Sequence, residues 1–406
     1  MLTSALLRKK NLLAILELIK KSGVISRPEI ARQTNLSIVT VNTLIIELMK
    51  TRIIIEEGLA DSIGGRKAAL YRFNEKAYSV IGINVRFHEI TIDIFDLHAN
   101  TLCEGIRFPI TGTHSVEPII AQIISAVSQL SEKHSGKSGG IIGIGIALPG
   151  HIDSPNGVIC RLTKLKEWVN IPLGSIVEAE TKIKTYLERD TNAHLSFLRL
   201  FGFTDSGKNV VYLCIGEGAG GALLIDDKIY HGEKGLAGEL GHTTLNPNGP
   251  RCVCGNTGCM EVYTSNAALV TDYSMNVKQN GSDSPFGNIT AFDEFQAVLD
   301  ISRIAAKGGV AAKQTIDRAC LYIRANLNNI MNTLNPSVII VECYWLRHHR
   351  ELFDEIVGKV FENTTFLDRC DAKIILNPVE DIFTKAPAAI VLDRLFSDAD
   401  SNPLLA

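Results

Sequence analysis

Residues 238–265 read GELGHTTLNPNGPRCVCGNTGCMEVYTS. His242 is followed after nine residues by Cys252, after one more by Cys254, and after a further four by Cys259. Three soft thiolates and one imidazole make a closed tetrahedral set for Zn2+, and an ion with no open coordination position is structural. Gly255 and Gly258 let a short loop wrap such an ion. The competing reading is three unliganded cysteines, which would leave exposed thiols in a compact polar loop. The chain has nine cysteines, an odd number, and the others lie singly in apolar surroundings. That is not a disulfide framework, and in a reducing compartment a cluster reads as metal-binding first.

Around this loop the pattern alternates between strands and helices. Ser79–Asn84 is an apolar strand, Ile90–Asp96 alternates as a strand should, and Ile119–Leu130 has helical spacing. Ile141–Leu148 is a buried strand that ends in Pro149-Gly150. Later come strands at Asn209–Ile215 and Gly221–Ile225, a helix through Ile316–Leu334, and strands at Val338–Val341 and Lys373–Leu376. Such alternation predicts α/β layers, with ligand sites at strand ends where glycine-rich turns follow.

The first 75 residues differ. Leu12, Ile15, Leu16 and Ile19 predict a helix that stops near Gly23. Ser26-Arg27-Pro28-Glu29 fits a capping box, with Ser26 capping and Glu29 reaching back, and starts a short second helix, Arg27 to Thr34. Ser37 caps a third helix with Val41, Leu44, Ile45 and Leu48 on one stripe. Two helices joined by a tight turn form a helix-turn-helix, whose second helix reads bases near its N-terminus. Those positions are Val39, Thr40, Asn42 and Thr43, residue types suited to base edges and thymine methyls. Ile53–Ile55 and Leu70–Phe73 flank Gly64-Gly65-Arg66-Lys67 as a wing, where Arg66 and Lys67 would meet the DNA backbone or minor groove. A three-helix protein-interaction module is the alternative.

Charge favours DNA. Residues 1–74 hold 12 Lys/Arg and 6 Asp/Glu, a balance of +6, so a total of −3 leaves −9 on the rest. A basic head on an acidic body suits operator DNA as a partner. The 406 residues exceed one ordinary core, and 46% hydrophobic with 21% charged residues fits a globular protein of two or three domains. No run of about eighteen apolar residues occurs. The N-terminus lacks the form of a signal peptide, so a cytoplasmic location is expected.

The whole pattern resembles the ROK family of repressors and sugar kinases. Besides the cysteine loop and the helix-turn-helix, the resemblance rests on LPG at 148–150, KLKEW at 164–168, RDTNA at 189–193, GEGAGGALL at 216–224, GELGH at 238–242 and LNPSVIIV at 334–341. It covers nearly the whole chain and implies a winged helix-turn-helix over 1–75, then a two-lobed, actin-like (ribonuclease-H-like) sugar-kinase fold. The first lobe would span 76–200, completed by the C-terminal helix, and the second 201–406. The family implies a sugar site between the lobes. By position, Asp190 matches the kinases' general base, and Glu239, His242 and Glu261 match groups that bind sugar hydroxyls, with Gly150 in the LPG turn beside them. The family also implies a homodimer or homotetramer, and for some relatives a sugar-transport-system protein as partner.

The kinase features are degraded. Kinases of this family open with a strand followed by Asp-x-Gly-Gly-Thr, whereas here Asn84-Val85-Arg86-Phe87-His88 stands in that place. The paired glycines expected after the strand at Val341 are replaced by Glu342-Cys343-Tyr344-Trp345, and Glu217 sits in the surviving glycine loop, where an acid repels phosphate. The expectation is therefore a non-enzymatic, sugar-responsive repressor; an active sugar kinase using ATP is the alternative. Arg189 and Lys164 leave two effectors open, a neutral sugar or a sugar phosphate, since Arg189 could either fork onto phosphate or pair with a neighbouring acid.

Overall fold

The computed structural model describes residues 4–59, 68–110, 115–162, 165, 167–203, 207–279, 291–362, 372–397 and 402. Its contacts divide into two compact units, Met1–Phe201 with Asp381–Ala406, and Gly202–Glu380.

The first unit opens with α1 (Ser4–Ser22), β1 (Val24–Ser26), α2 (Arg27–Thr34), α3 (Ile38–Lys50), β2 (Ile54–Leu59) and β3 (Ala69–Phe73). β3 lies between β1 and β2 in a three-stranded antiparallel sheet, which makes this a winged helix-turn-helix. Leu12, Ile15, Leu16 and Ile19 of α1 and Val41, Leu44, Ile45 and Leu48 of α3 are all buried. Each stabilises the head by about 1.5–3 kcal/mol, so the two stripes outweigh any capping effect. The capping box at Ser26 does not form. Ser26 precedes α2 but its side chain makes no cap hydrogen bond, because it is a strand residue registered against Leu70. Glu29 instead accepts from Arg32 and from Gln33, which hold its carboxyl down at about 2. The wing tip, with Arg66 and Lys67, lies outside the described residues.

The body of the first unit comprises β4 (Ser79–Val85), β5 (Glu89–Phe95), β6 (Ile106–Pro109), α4 (Val116–His134), β7 (Ile141–Leu148), β8 (His151–Asp153), β9 (Val158–Arg161), β10 (Val169–Ile171), α5 (Leu173–Thr181), β11 (Thr185–Arg189) and α6 (Asp190–Leu200). The second unit comprises β12 (Val210–Ile215), β13 (Ala219–Ile225), β14 (Lys228–Ile229), a 3-10 turn (Leu240–His242), α7 (Glu261–Thr264), α8 (Asn266–Gln279), α9 (Ala291–Ala306), α10 (Val310–Leu334), β15 (Val338–Cys343), α11 (Tyr344–Arg347), α12 (Arg350–Phe361) and β16 (Lys373–Leu376). The chain then returns to the first unit as α13 (Ile382–Ser397).

Both units carry the same sheet. In the first the order is β11-β7-β4-β5-β6, in the second β16-β15-β12-β13-β14. Each has three parallel strands on one side and an antiparallel meander on the other. The inner strands β4 and β15 are buried at every position, as strands covered on both faces must be. α13 covers β4 and β7 closely: a Cβ on Gly145 would lie 2.1 Å from the Pro387 carbonyl oxygen, so only glycine admits the helix there.

Candidate functional site

The cysteine loop closes on itself through backbone bonds. Leu245 N–H donates to Gly258 C=O at 2.8 Å, Cys252 N–H to Asn256 C=O at 2.8 Å, and Gly258 N–H to Pro250 C=O at 2.8 Å. Gly255 and Gly258 take φ of +94° and +67°, the left-handed region that a wrapping loop requires. The ligand atoms of His242, Cys252, Cys254 and Cys259 all lie within 4.8 Å of one another. Cys252 Sγ is 3.5 Å from His242 Nδ1, and Cys254 Sγ is 3.7 Å from Cys259 Sγ. A tetrahedral zinc, with Zn–S of ~2.3 Å and Zn–N of ~2.05 Å, spaces two sulfurs by ~3.8 Å and a sulfur and nitrogen by ~3.6 Å. The donor set and its spacing therefore fit that ion. Burial, then the Cys254 and Cys252 thiols, push Cys259 up to about 12, so this sulfur is not held as a thiolate by the protein alone. A divalent cation would supply the missing charge.

The other nitrogen of His242 lies near Glu239. Its Nε2 stands 3.9 Å from Glu239 Oε2, too far for a direct hydrogen bond, so a donor and an acceptor lie side by side where a ligand hydroxyl could contact either. Glu261 has a different post: its Oε2 accepts the Ala219 N–H at 2.9 Å, bracing the glycine loop between β12 and β13. Asn326 Nδ2 ties the same region to α10 by donating to Leu240 C=O at 3.2 Å.

In the first unit Leu148 of β7 is registered against Arg189 of β11, and Asn84 of β4 against Ala147 of β7. Asn84, Gly150 and Asp190 thus gather at the carboxyl ends of three adjacent parallel strands, where ligands of open α/β sheets bind. Gly150 has φ +99°, and a Cβ there would stand 2.6 Å from the Arg161 carbonyl oxygen. Asp190 opens α6 and accepts the Thr191 N–H at 2.7 Å. Arg189 is only 5% exposed, with its guanidinium 3.3 Å from Asn192 Oδ1 and its backbone N–H on Glu188 Oε1. Lys164 lies outside the described residues.

Bulky side chains follow the ends of β4 and β15. The Arg86 guanidinium lies 5.3 Å from the Phe383 ring centroid, and Phe383 meets His194 edge-on at 4.7 Å. Phe87 packs against the first unit's core. In the second unit Glu342 is bound by Arg347 at 2.8 Å and by Asn377, and Tyr344 stacks on Phe295 at 4.0 Å. The Tyr344 hydroxyl donates to Asn266 Oδ1 at 3.1 Å, and Asn266 N–H donates to Gly216 C=O at 2.8 Å, so this pair of rings flanks the glycine loop. Sequence reasoning did not single out Phe295, Phe383 or His194: the first two sit in segments with no motif, and His194 lies just past the RDTNA stretch.

At the head, Ser37 caps α3 by accepting the Thr40 N–H at 3.1 Å. Val39 is 70% exposed and Thr43 is exposed, while Thr40 and Asn42 are half-buried. The first turns of α3 therefore present Ser37, Val39 and Thr43, with Asn42 at their edge, away from the buried stripe.

A winged helical head on a duplicated α/β body, with a loop of three cysteines and one histidine, defines the class. A family profile described as ROK family matches residues 80–372, and the chain belongs to that family. It is 30% identical to a xylose repressor of Caldicellulosiruptor bescii over 362 residues, 89% of this chain and 90% of that protein. It is 24% identical over 336 residues to the DNA-binding transcriptional repressor Mlc of Escherichia coli, covering 82% of this chain and 81% of that one. Among solved structures, a ROK family transcriptional regulator homologous to Escherichia coli Mlc superposes with a TM-score of 0.81 at 22% identity, covering 98% of both chains. A ROK family glucokinase from Streptomyces griseus superposes with a TM-score of 0.62 at 22% identity, covering 77% of this chain and 98% of that one. The fold is thus the actin-like sugar-kinase fold with an added head. No helix among the described residues is long and apolar enough to cross a membrane.

Proposed function

We propose that this protein is a sugar-responsive transcriptional repressor acting in the cytoplasm. Its body binds a sugar without phosphorylating it, and its head binds an operator as a homodimer or homotetramer. One observation carries the reading: His242 Nε2 and Glu239 Oε2 stand 3.9 Å apart beside the cysteine loop, a donor and an acceptor of the kind that sugar hydroxyls engage. Arg86 beside Phe383, and Tyr344 on Phe295, occupy volume that a nucleotide would need, and Glu217 opposes phosphate charge.

Glu239 and His242 read sugar hydroxyls, Glu261 fixes the loop beside them, and Asp190 and Gly150 are further sugar residues carried from the family pattern. Zinc held by His242, Cys252, Cys254 and Cys259 is structural: it fixes the imidazole so that Nε2 can donate. Ser37, Val39, Thr40, Asn42 and Thr43, with Arg66 and Lys67 of the wing, meet the DNA. Because Arg189 is buried against Asn192, a neutral sugar fits better than a sugar phosphate. The relatives named xylose repressors make D-xylose the first candidate. A sugar-transport-system protein is a further candidate partner that no residue here specifies.

The test is a mobility shift on a DNA duplex selected by the protein, with and without D-xylose, beside a coupled ATP-consumption assay. The reading expects a change in DNA affinity and no ATP turnover. Steady ATP consumption with a hexose or pentose would refute it.

A further inference from the structure

Lys20 belongs to the head by sequence, near the end of α1, but its charge is spent on the body. Its Nζ lies 4.2 Å from the centroid of Phe396 and 4.8 Å from that of Phe201, and it donates to the Leu200 carbonyl at 3.3 Å. The socket is made by α6 and α13, and these two helices are themselves pinned together by an ion pair between Arg199 and Asp393. Burial pushes the Lys20 ammonium down to about 8, with Arg199 and Lys21 acting in the same direction against Glu17 and Asp393. A leucine or methionine would fill an aromatic socket without that cost. What lysine adds is a directed bond to a carbonyl at the negative end of α6, together with attraction to two ring faces.

The partner of that bond matters. Leu200 is the last residue of α6, and Asp190 is its first. An 11-residue helix is a rigid rod of about 16 Å. Phe201 is also the last residue before the chain leaves for the second unit, and α13, which carries Phe396, begins just after it returns at Asp381. On the head side, α1 packs against both α2 and α3. A shift of α6 at its Asp190 end must therefore move the Leu200 carbonyl and the Phe201 ring, which hold the helix that supports the reading head.

We infer that Lys20 is a positioning residue that couples effector occupancy in the body to operator binding by the head, by holding the end of α1 to the Leu200 carbonyl and the Phe201 and Phe396 rings. This rests on the repressor reading above. It assigns Lys20 no contact with sugar or DNA.

The experiment uses the full-length protein, the wild-type-selected duplex and D-xylose. Lys20→Met keeps the apolar stem and removes the cation and donor, and Lys20→Arg restores both. The Met variant is expected to bind the duplex without sugar within about three-fold of wild type. Its ratio of DNA affinities without and with D-xylose should fall by roughly five-fold or more, with recovery in the Arg variant. Amide hydrogen exchange of residues 16–22 and 197–201 should rise about ten-fold in the Met variant while β4 and β7 keep wild-type protection. A wild-type affinity ratio, unchanged exchange in those segments, or outright loss of DNA binding in the Met variant would each overturn the assignment. If wild-type DNA binding ignores D-xylose, the choice of D-xylose as effector fails instead. The exchange comparison then decides the Lys20 contact alone, unchanged protection overturning it and the rise sustaining it.

Discussion

Removing the zinc proposed for the cysteine loop is the perturbation with the largest calculable effect. Cys259 and Met260 are both fully buried, and Met260 belongs to the second unit's core, so the loop cannot be released without disturbing that core. An ion bound there would stabilise the folded state by RT ln(1 + [Zn]/Kd), about 4 kcal/mol when free zinc stands a thousand-fold above Kd. For a unit spanning 202–380, each kcal/mol moves the unfolding midpoint by about 2–4 °C. Chelation should therefore lower the second unit's transition by roughly 8–16 °C, and Cys259→Ser should reproduce most of that shift without chelator. The assay is differential scanning calorimetry on protein whose zinc content is measured in parallel, with one zinc per chain expected before chelation. Sugar binding should fall with the metal, because the ion fixes His242 and the Glu261 brace on Ala219 belongs to the same segment. Metal-free protein that melts within about 2 °C of the untreated sample and binds sugar as before would refute the reasoning.

Three further perturbations test separate links. Glu239→Gln leaves the loop intact but removes the charge that accepts a sugar hydroxyl, so sugar affinity measured by titration calorimetry should fall about ten-fold or more, while zinc content is unchanged. Asn42→Ala, at the edge of the exposed first turns of α3, should weaken the selected duplex by about 1–3 kcal/mol and relax its sequence preference; equal weakening on all sequences would place Asn42 off the base edges. His194 is fully buried and burial, then Arg86, push its imidazole down to about 3. Its folded value lies below the unfolded one, so the unfolded chain takes up the proton first and stability falls as pH drops below about 6.5. Between pH 7 and pH 5 that single group removes about 2 kcal/mol, and urea midpoints of wild type and His194→Leu should differ in their pH dependence by that amount. Parallel pH profiles would show that the imidazole is not neutral in the folded state.

Legibility followed how much each element owes to its own residues. The His/Cys cluster and α3 were readable because their signals are local: a candidate ligand set within one short segment, and a buried stripe that the structure reproduces residue for residue. β11 and α6 were not read as elements. Thr185–Arg189 is short and polar, and α6 buries Thr191, Asn192, His194 and Ser196 together with its leucines, so it carries no amphipathic period. A helix buried on all sides by its partners shows its identity only once those partners are in place. The capping box at Ser26 failed for the same reason in reverse: a correct local motif was overridden by pairing with β3, a strand more than forty residues away. The bulky groups after β4 and β15 were half-legible. Arg86 and Phe87 stand out in the sequence as bulky residues at the end of a strand, whereas Phe383, His194 and Phe295 come from other segments and act by packing. This division has a physical basis. A turn announces itself by the residues within it, whereas packing around that turn draws on whatever side chains the rest of the fold brings to it.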